Sequence, residues 1–307
     1  MATLYTHQRA NKQKTWLLML VFLLVVIGLG WFFGFALDVP WLLPVAIIFS
    51  LLMNVASYWW SDKIVLKISG AKPADKTEFY DLYTITENLS ITAGLPMPKL
   101  YVIEDQAPNA FATGRDQDHA VVAVTTGLLQ ILEKSELEGV IAHELSHIGN
   151  RDMLLSTVVV VLVGFVALLS DFFIRFSFFG GGDRDNKAGG LLIIVGIVLA
   201  ILSPIIATLI KLAISRKREF LADSSGALLT RYPEGLASAL EKISRSGASL
   251  RRANNATAHL YIANPFGSKS GQFMHKIFAT HPPVEDRVGA LRSENINRSV
   301  ENTNINI

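Results

Sequence analysis

Two long apolar blocks open the chain: Trp16 to Leu37 and Val39 to Trp60 are almost uncharged and meet at a turn around Asp38 and Pro40. Each approaches the roughly 20 apolar residues with which a helix crosses a bilayer. Two later blocks, Met153 to Ser170 and Leu191 to Ile210, are shorter or interrupted at Pro204, and predict a second hairpin of spans. Between the hairpins the period changes. Thr77 to Ala93 sets Phe79, Leu82, Tyr83, Ile85 and Leu89 at helical spacing. Lys99 to Ile103 and His119 to Val124 alternate or run β-branched, predicting strands of a small antiparallel sheet, with Asn109-Ala110-Phe111-Ala112-Thr113-Gly114 between them. Leu137, Val140, Ile141, Leu145 and Ile148 then line one side of a helix that starts at a Ser135-x-x-Glu138 capping box and stops at Gly149. The expectation is an α+β domain attached to a polytopic helical membrane protein of four spans.

Composition strengthens the membrane reading. Of 307 residues 50% are hydrophobic, and the mean hydropathy of +0.37 is high for a soluble chain. Trp16, Trp31, Trp41, Trp59 and Trp60 lie near the ends of the first two blocks, where amphipathic rings favour the headgroup region. Arg9, Lys12 and Lys14 precede the first block, whereas the turn after it carries only Asp38, so the N-terminus is expected in the cytoplasm. The first block is too long for a signal-peptide core, and no A-x-A-like cleavage site follows it. The expected division is 1–15 as N-terminus, 16–60 and 153–210 as hairpins, 61–152 and 211–292 as two halves of one cytoplasmic domain, and 293–307 as a disordered Asn-rich tail. Lys211, Arg216, Lys217 and Arg218 agree with an inner-side return. With no cysteine, neither disulfides nor thiolate metal sites are available. The net charge of +2 gives no reason to expect nucleic acid.

The chemistry-bearing stretch is Ile141-Ala142-His143-Glu144-Leu145-Ser146-His147. Residues four apart share a helix face, so His143 and His147 can aim ring nitrogens at one metal ion. Glu144, one position round, can reach a water in the metal's open position, which is a general base's place. The plainer alternative is a helix with two surface histidines and an incidental acid; against it, histidine is scarce in this chain and the surrounding cap and apolar stripe agree with the motif.

A catalytic zinc site takes a third protein ligand on the same membrane side as His143. That leaves Asp152, upstream acids, or the segment after the fourth block. Glu219 is favoured because Ala213 to Leu228 reads as helix, with Asp223 one turn on, spaced to orient a ligating imidazole. Alternatively, Glu219 only neutralises the neighbouring Arg216, Lys217 and Arg218.

The motif His143-Glu144-Leu145-Ser146-His147, then Glu219-Phe220-Leu221-Ala222-Asp223 after a hairpin of spans, resembles the HtpX family of bacterial membrane metallopeptidases, related to the CaaX prenyl proteases. The likeness covers nearly the whole chain, including residues 109–114 and Thr280-His281-Pro282-Pro283 followed by Arg287. It implies a gluzincin-like fold, one Zn²⁺ per chain on His143, His147 and Glu219, and Glu144 as catalytic acid/base. It also implies a bacterial inner-membrane protease that removes misfolded or damaged membrane proteins at the cytoplasmic face. Asn109, Ala110, Phe111 and Arg287 are candidate substrate-binding residues, since an edge strand can pair with an extended peptide; Arg287 alternatively braces a carboxylate. His281 is either a catalytic oxyanion donor or a loop histidine ordered by its prolines.

Two rivals remain. An intramembrane protease would carry the motif within a span, which the flanking Glu136, Glu138 and Asn150-Arg151-Asp152 disfavour. A zinc-holding membrane adaptor or chaperone would need no base, and Glu144 is present.

Overall fold

The computed structural model describes residues 4–36, 38–179, 196, 216–254, 256–267 and 282–293. The first two apolar blocks form helices α1 (Leu4–Ala36) and α2 (Leu42–Trp59), of which Asn11–Phe35 and Leu42–Trp59 are long and apolar enough to cross a membrane. They approach closely through small residues: a Cβ on Gly30 would stand 2.2 Å from the Ala46 Cβ. Asn54 Nδ2 donates to the Met19 carbonyl at 3.3 Å, a buried polar contact within the pair. Leu17, Leu20, Leu24, Ile48, Leu51 and Leu52 are left exposed on the outside, an apolar surface suited to lipid. The chain then enters a third helix, α3 (Ser61–Ser69), where the sequence pattern is too mixed to declare one.

The domain's sheet contains β1 (Lys72–Pro73), β2 (Lys99–Ile103), β3 (Ala110–Thr113) and β4 (Val121–Thr125), in the order β1-β2-β4-β3. The antiparallel pairing expected of the two strands legible in the sequence is corrected. β2 and β4 run parallel, with Lys99 beside Val121, whereas β1–β2 and β3–β4 are antiparallel. The cause is the segment read as a connection, which itself forms the edge strand β3, so that the chain turns there and returns between β3 and β2. Val122, Ala123 and Val124 are fully buried, as a strand covered on both faces requires.

Helices cover each face of that sheet. On one, Leu100, Val102, Val122 and Val124 pack with Leu82, Ile85 and Leu89 of α4 (Tyr80–Ala93). After the short α5 (Thr126–Ile131) comes α6 (Lys134–Gly149), which adds Leu137, Val140, Ile141, Leu145 and Ile148 to the same core. On the other face, Phe111, Val121 and Ala123 meet Val65 of α3, Leu250, Tyr261 and Val160 of α7 (Asp152–Phe179). The second half of the domain supplies α8 (Arg216–Thr230), α9 (Pro233–Ser246) and a last helix, α10, over residues 284–293.

The start of α6 is also corrected. The reciprocal cap is formed by Glu133 and Glu136, not by Ser135 and Glu138: the Glu136 carboxylate accepts the Glu133 N–H at 2.8 Å. Glu136 is held there by α9, whose Ser238 Oγ and Lys242 Nζ donate to it at 2.6 and 2.7 Å.

At its other end α6 breaks sharply. Arg151 adopts φ 57°, and α7 departs at 84° to α6. Lys134–Gly149 and Asp152–Phe165 together are apolar enough to count as one bent span, so the described residues hold two candidate spans, or three. The apolarity of α6, however, serves the core, because α4, α8, α9 and β3 enclose it. Helix α7 continues to Phe179, beyond the Ser170 expected for the third block. The fourth block, apart from Gly196, lies outside the described residues, as do residues 180–190, His281 and the tail after Ser293.

Candidate metal centre

Helix α6 presents His143 and His147 on one side, and α8 passes close enough to bring a carboxylate between them. The two Nε2 atoms are 3.2 Å apart. Glu219, in the first turn of α8, sets Oε2 3.9 Å from His143 Nε2 and Oε1 3.8 Å from His147 Nε2. One ligand atom from each residue falls within a span of 4.8 Å. Zinc bonds imidazole nitrogen at about 2.0–2.1 Å in tetrahedral sites, which separates two nitrogens by about 3.3 Å. The observed nitrogen spacing therefore fits a shared metal, and the two-imidazole, one-carboxylate donor set leaves a coordination position open.

Close helix approach makes this possible. At Gly226 of α8 an added Cβ would lie 3.0 Å from the His143 backbone nitrogen. A side chain there would make the two helix backbones give by a few tenths of an ångström, so the small residue suits their close approach.

Each histidine is backed by a carboxylate that leaves Nε2 facing the cluster. Asp223 Oδ1 lies 2.9 Å from His143 Nδ1, and Asp152 Oδ2 lies 3.3 Å from His147 Nδ1. Asp223 is fixed in turn by Arg287, which donates from Nε at 2.8 Å and from Nη2 at 2.6 Å. Burial would raise the Asp223 carboxyl, but the Arg287 charge and hydrogen bonds hold it at about 2. His143, by contrast, is depressed to about 4 by burial against the pull of Asp223, so its ring is neutral at pH 7 and ready to ligate. Burial disfavours the charged His147 as well, but its hydrogen bond to Asp152 and the charges of Glu219, Asp152 and Glu144 outweigh this and push it up to about 9. A metal entering at neutral pH must therefore displace a proton from His147.

Glu144 is 1% exposed and accepts the backbone N–H of Ala112 on β3. Burial, aided by Glu219, pushes its carboxyl up to about 7 against the opposing charges of His147 and Arg287. A carboxylate so poised can both take and return a proton near neutral pH.

A family model, Peptidase family M48, matches residues 76–295. The chain belongs to this family. It is 46% identical over 298 residues to a "Protease HtpX homolog" of Caldanaerobacter subterraneus subsp. tengcongensis, covering 95% of this chain and 98% of the relative. A protein of the same name from Dictyoglomus thermophilum is 49% identical over 292 residues, covering 94% of each chain. Among solved structures, the crystal structure of S. mikatae Ste24p matches with a TM-score of 0.50 at 17% identity, over 94% of this chain and 67% of that one. At that identity the likeness concerns the fold alone. The M48 assignment, the metal-binding cluster and the apolar helices make this chain a membrane-bound metallopeptidase.

Within this M48 chain the expected substrate contacts need revision. Phe111 is fully buried and packs edge-on against Tyr261 at 5.1 Å. Asn109 is also buried: its Nδ2 donates to the Ala263 carbonyl at 3.0 Å and its Oδ1 accepts the Ala263 N–H at 3.2 Å. The Ala110 carbonyl accepts the Ile262 N–H at 2.9 Å. At these positions the outer edge of β3 is thus filled by the chain's own residues 262–263. Arg287, 1% exposed and spent on Asp223 and the Ile262 carbonyl, braces a carboxylate and does not face substrate. His281 lies outside the described residues.

Asp152, a candidate ligand by its place in the chain, instead stands behind His147 and supports it. The two are five positions apart, a spacing that shares no helix face, and only the break at Arg151 turns Asp152 back. The acid's nearness to the motif was the one available signal.

Proposed function

We propose that the chain is a zinc-dependent endopeptidase acting at the cytoplasmic face of a bacterial inner membrane. Its substrates are loops, termini or unfolded stretches of misfolded or damaged membrane proteins, removed as quality control. The observation that carries this reading is the convergence of His143, His147 and Glu219 beside a fourth, buried acid. Zinc suits imidazole and carboxylate donors, and when bound it supplies Lewis acidity at the scissile carbonyl and makes water more acidic.

The protein groups do the rest. His143, His147 and Glu219 hold the ion, Asp223 and Asp152 fix the two rings, and the Ala112 N–H keeps the Glu144 carboxylate aimed. Glu144 takes the proton from the attacking water and passes it to the leaving amine. His281 remains a candidate donor to the oxyanion. Proximity to the hairpin supports membrane-held substrates, which reach the cleft at high local concentration.

Protein purified in detergent under chelation is expected not to cut an unfolded test protein, and one equivalent of Zn²⁺ per chain is expected to restore cleavage. Zinc bound at the cluster with no cleavage would favour the adaptor reading instead. The proposed topology has four spans with both termini and the domain inside; the apolar blocks support the spans, and the basic residues before the first and after the fourth support the orientation. Because the chain has no cysteine, Glu104→Cys offers a single label site on an exposed strand end. An impermeant maleimide should label it only after the cells are opened. Labelling in intact cells would overturn the cytoplasmic orientation.

A further inference from the structure

Behind His147 the two oxygens of Asp152 divide their contacts. Oδ2 faces the ligand ring at 3.3 Å, while Oδ1 accepts a hydrogen bond from Asn11 Nδ2 at 2.5 Å. Asn11 opens the apolar stretch of α1 that is long enough to span a bilayer. Both Asn11 and Asp152 are 4% exposed, so the bond is shielded from water and fixes the carboxylate's rotation. Arg218 Nη1, next to the ligand Glu219 on α8, stands 3.6 Å from the same Oδ1. Asp152 thereby links the first membrane helix, one ligand imidazole and the helix that carries the third ligand.

The other histidine makes an instructive contrast. His143 is backed by Asp223, and the group holding Asp223 is Arg287, which belongs to the domain itself. For His147 the corresponding hydrogen-bond donor comes from the membrane hairpin. The apolar contact around it is continuous: Leu18, Met19 and Phe22 of α1 pack on Leu155, Val158 and Val159 of α7. Seating α1 on α7 therefore carries Asn11 onto Asp152.

We propose that Asn11 is a positioning residue of the metal centre: its carboxamide fixes Asp152 behind His147, so that docking of the first membrane helix completes this ligand. The metal site is then finished only in a chain whose hairpin is seated, which ties metal loading to membrane assembly. This rests on the metal-site reading above. Partners that orient a ligating imidazole typically alter metal affinity 10–100-fold when removed.

The test uses the full chain in detergent, with Zn²⁺ itself as probe in competition with a chromophoric chelator. Asn11→Leu, which keeps volume but loses the donor, is expected to weaken zinc binding about tenfold, and Asp152→Ala at least as much. Combined with Asp152→Ala, the Asn11 change should add nothing. Unfolding temperatures of the metal-free variants give the separate packing effect. Should Asn11→Leu not fold, Asn11→Ser, whose hydroxyl is too short to reach Asp152, is expected to show the same weakening. Unchanged zinc affinity in the folded Asn11 variant, or an equal loss with Asp152 absent, would overturn the proposal and leave Asn11 a packing residue. His147→Ala is read alongside: if it binds zinc as tightly as the wild type, the metal-site reading fails by itself.

Discussion

Replacing Glu144 with Gln is expected to leave zinc binding intact and lower the rate of peptide cleavage about a thousandfold. The side chains are nearly the same size, and the amide oxygen can still accept the Ala112 N–H, so the buried site keeps its shape. What disappears is a group that gains and loses a proton near neutral pH, a contribution of roughly 10²–10⁴ in rate. Removing the Glu144 charge also withdraws one of the charges that keep His147 protonated, so the metal faces no stronger competition from protons. Cleavage of an unfolded test protein, with zinc content measured on the same sample, separates the two effects. A variant that retains zinc and cuts within tenfold of wild type would remove Glu144 from the proton-transfer role.

The second large effect concerns folding as well as chemistry. Arg287→Leu strips the guanidinium from both oxygens of Asp223, which is 2% exposed, and also leaves the Ile262 carbonyl without its donor. Breaking a buried pair from one side costs about 3–5 kcal/mol, because the surviving charge is left in a poorly solvating place. A fall in unfolding temperature of many degrees should follow, read by scanning fluorimetry. Zinc affinity should fall too, since Asp223 no longer holds His143 in place. Adding Asp223→Asn to Arg287→Leu should recover part of the stability by removing the stranded charge. Failure of the double variant to improve on the single one would mean that the loss came from packing of the arginine stem.

What could be read in the chain depended on how local each feature was. Membrane blocks are legible because the bilayer fixes a length and a polarity that any segment must meet unaided. The pairing of His143 with His147 is legible for a similar reason: helical pitch alone sets their common face. Helix α4 also follows its stripe, with Leu82, Ile85 and Leu89 buried. Strand pairing was less accessible. Residues 109–114 carry the Asn and Gly of a connection, and only the neighbouring β4 and the segment at Ile262 turn part of them into β3.

The sequence by itself determined the apolar hairpin, the metal-binding face of α6 and the short roster of acids from which the remaining partners are drawn. Tertiary structure decided which acid does what. Glu219 reaches the two imidazoles because Gly226 lets α8 lie against α6; Asp223 is held by an arginine 64 residues away; and Asp152 turns from a candidate ligand into a brace through the bend at Arg151. The physical reason is range. Spacing along one helix is fixed by backbone geometry within a few residues, whereas the role of a buried carboxylate is set by the charges and donors around it, and those arrive from distant segments only when the core closes.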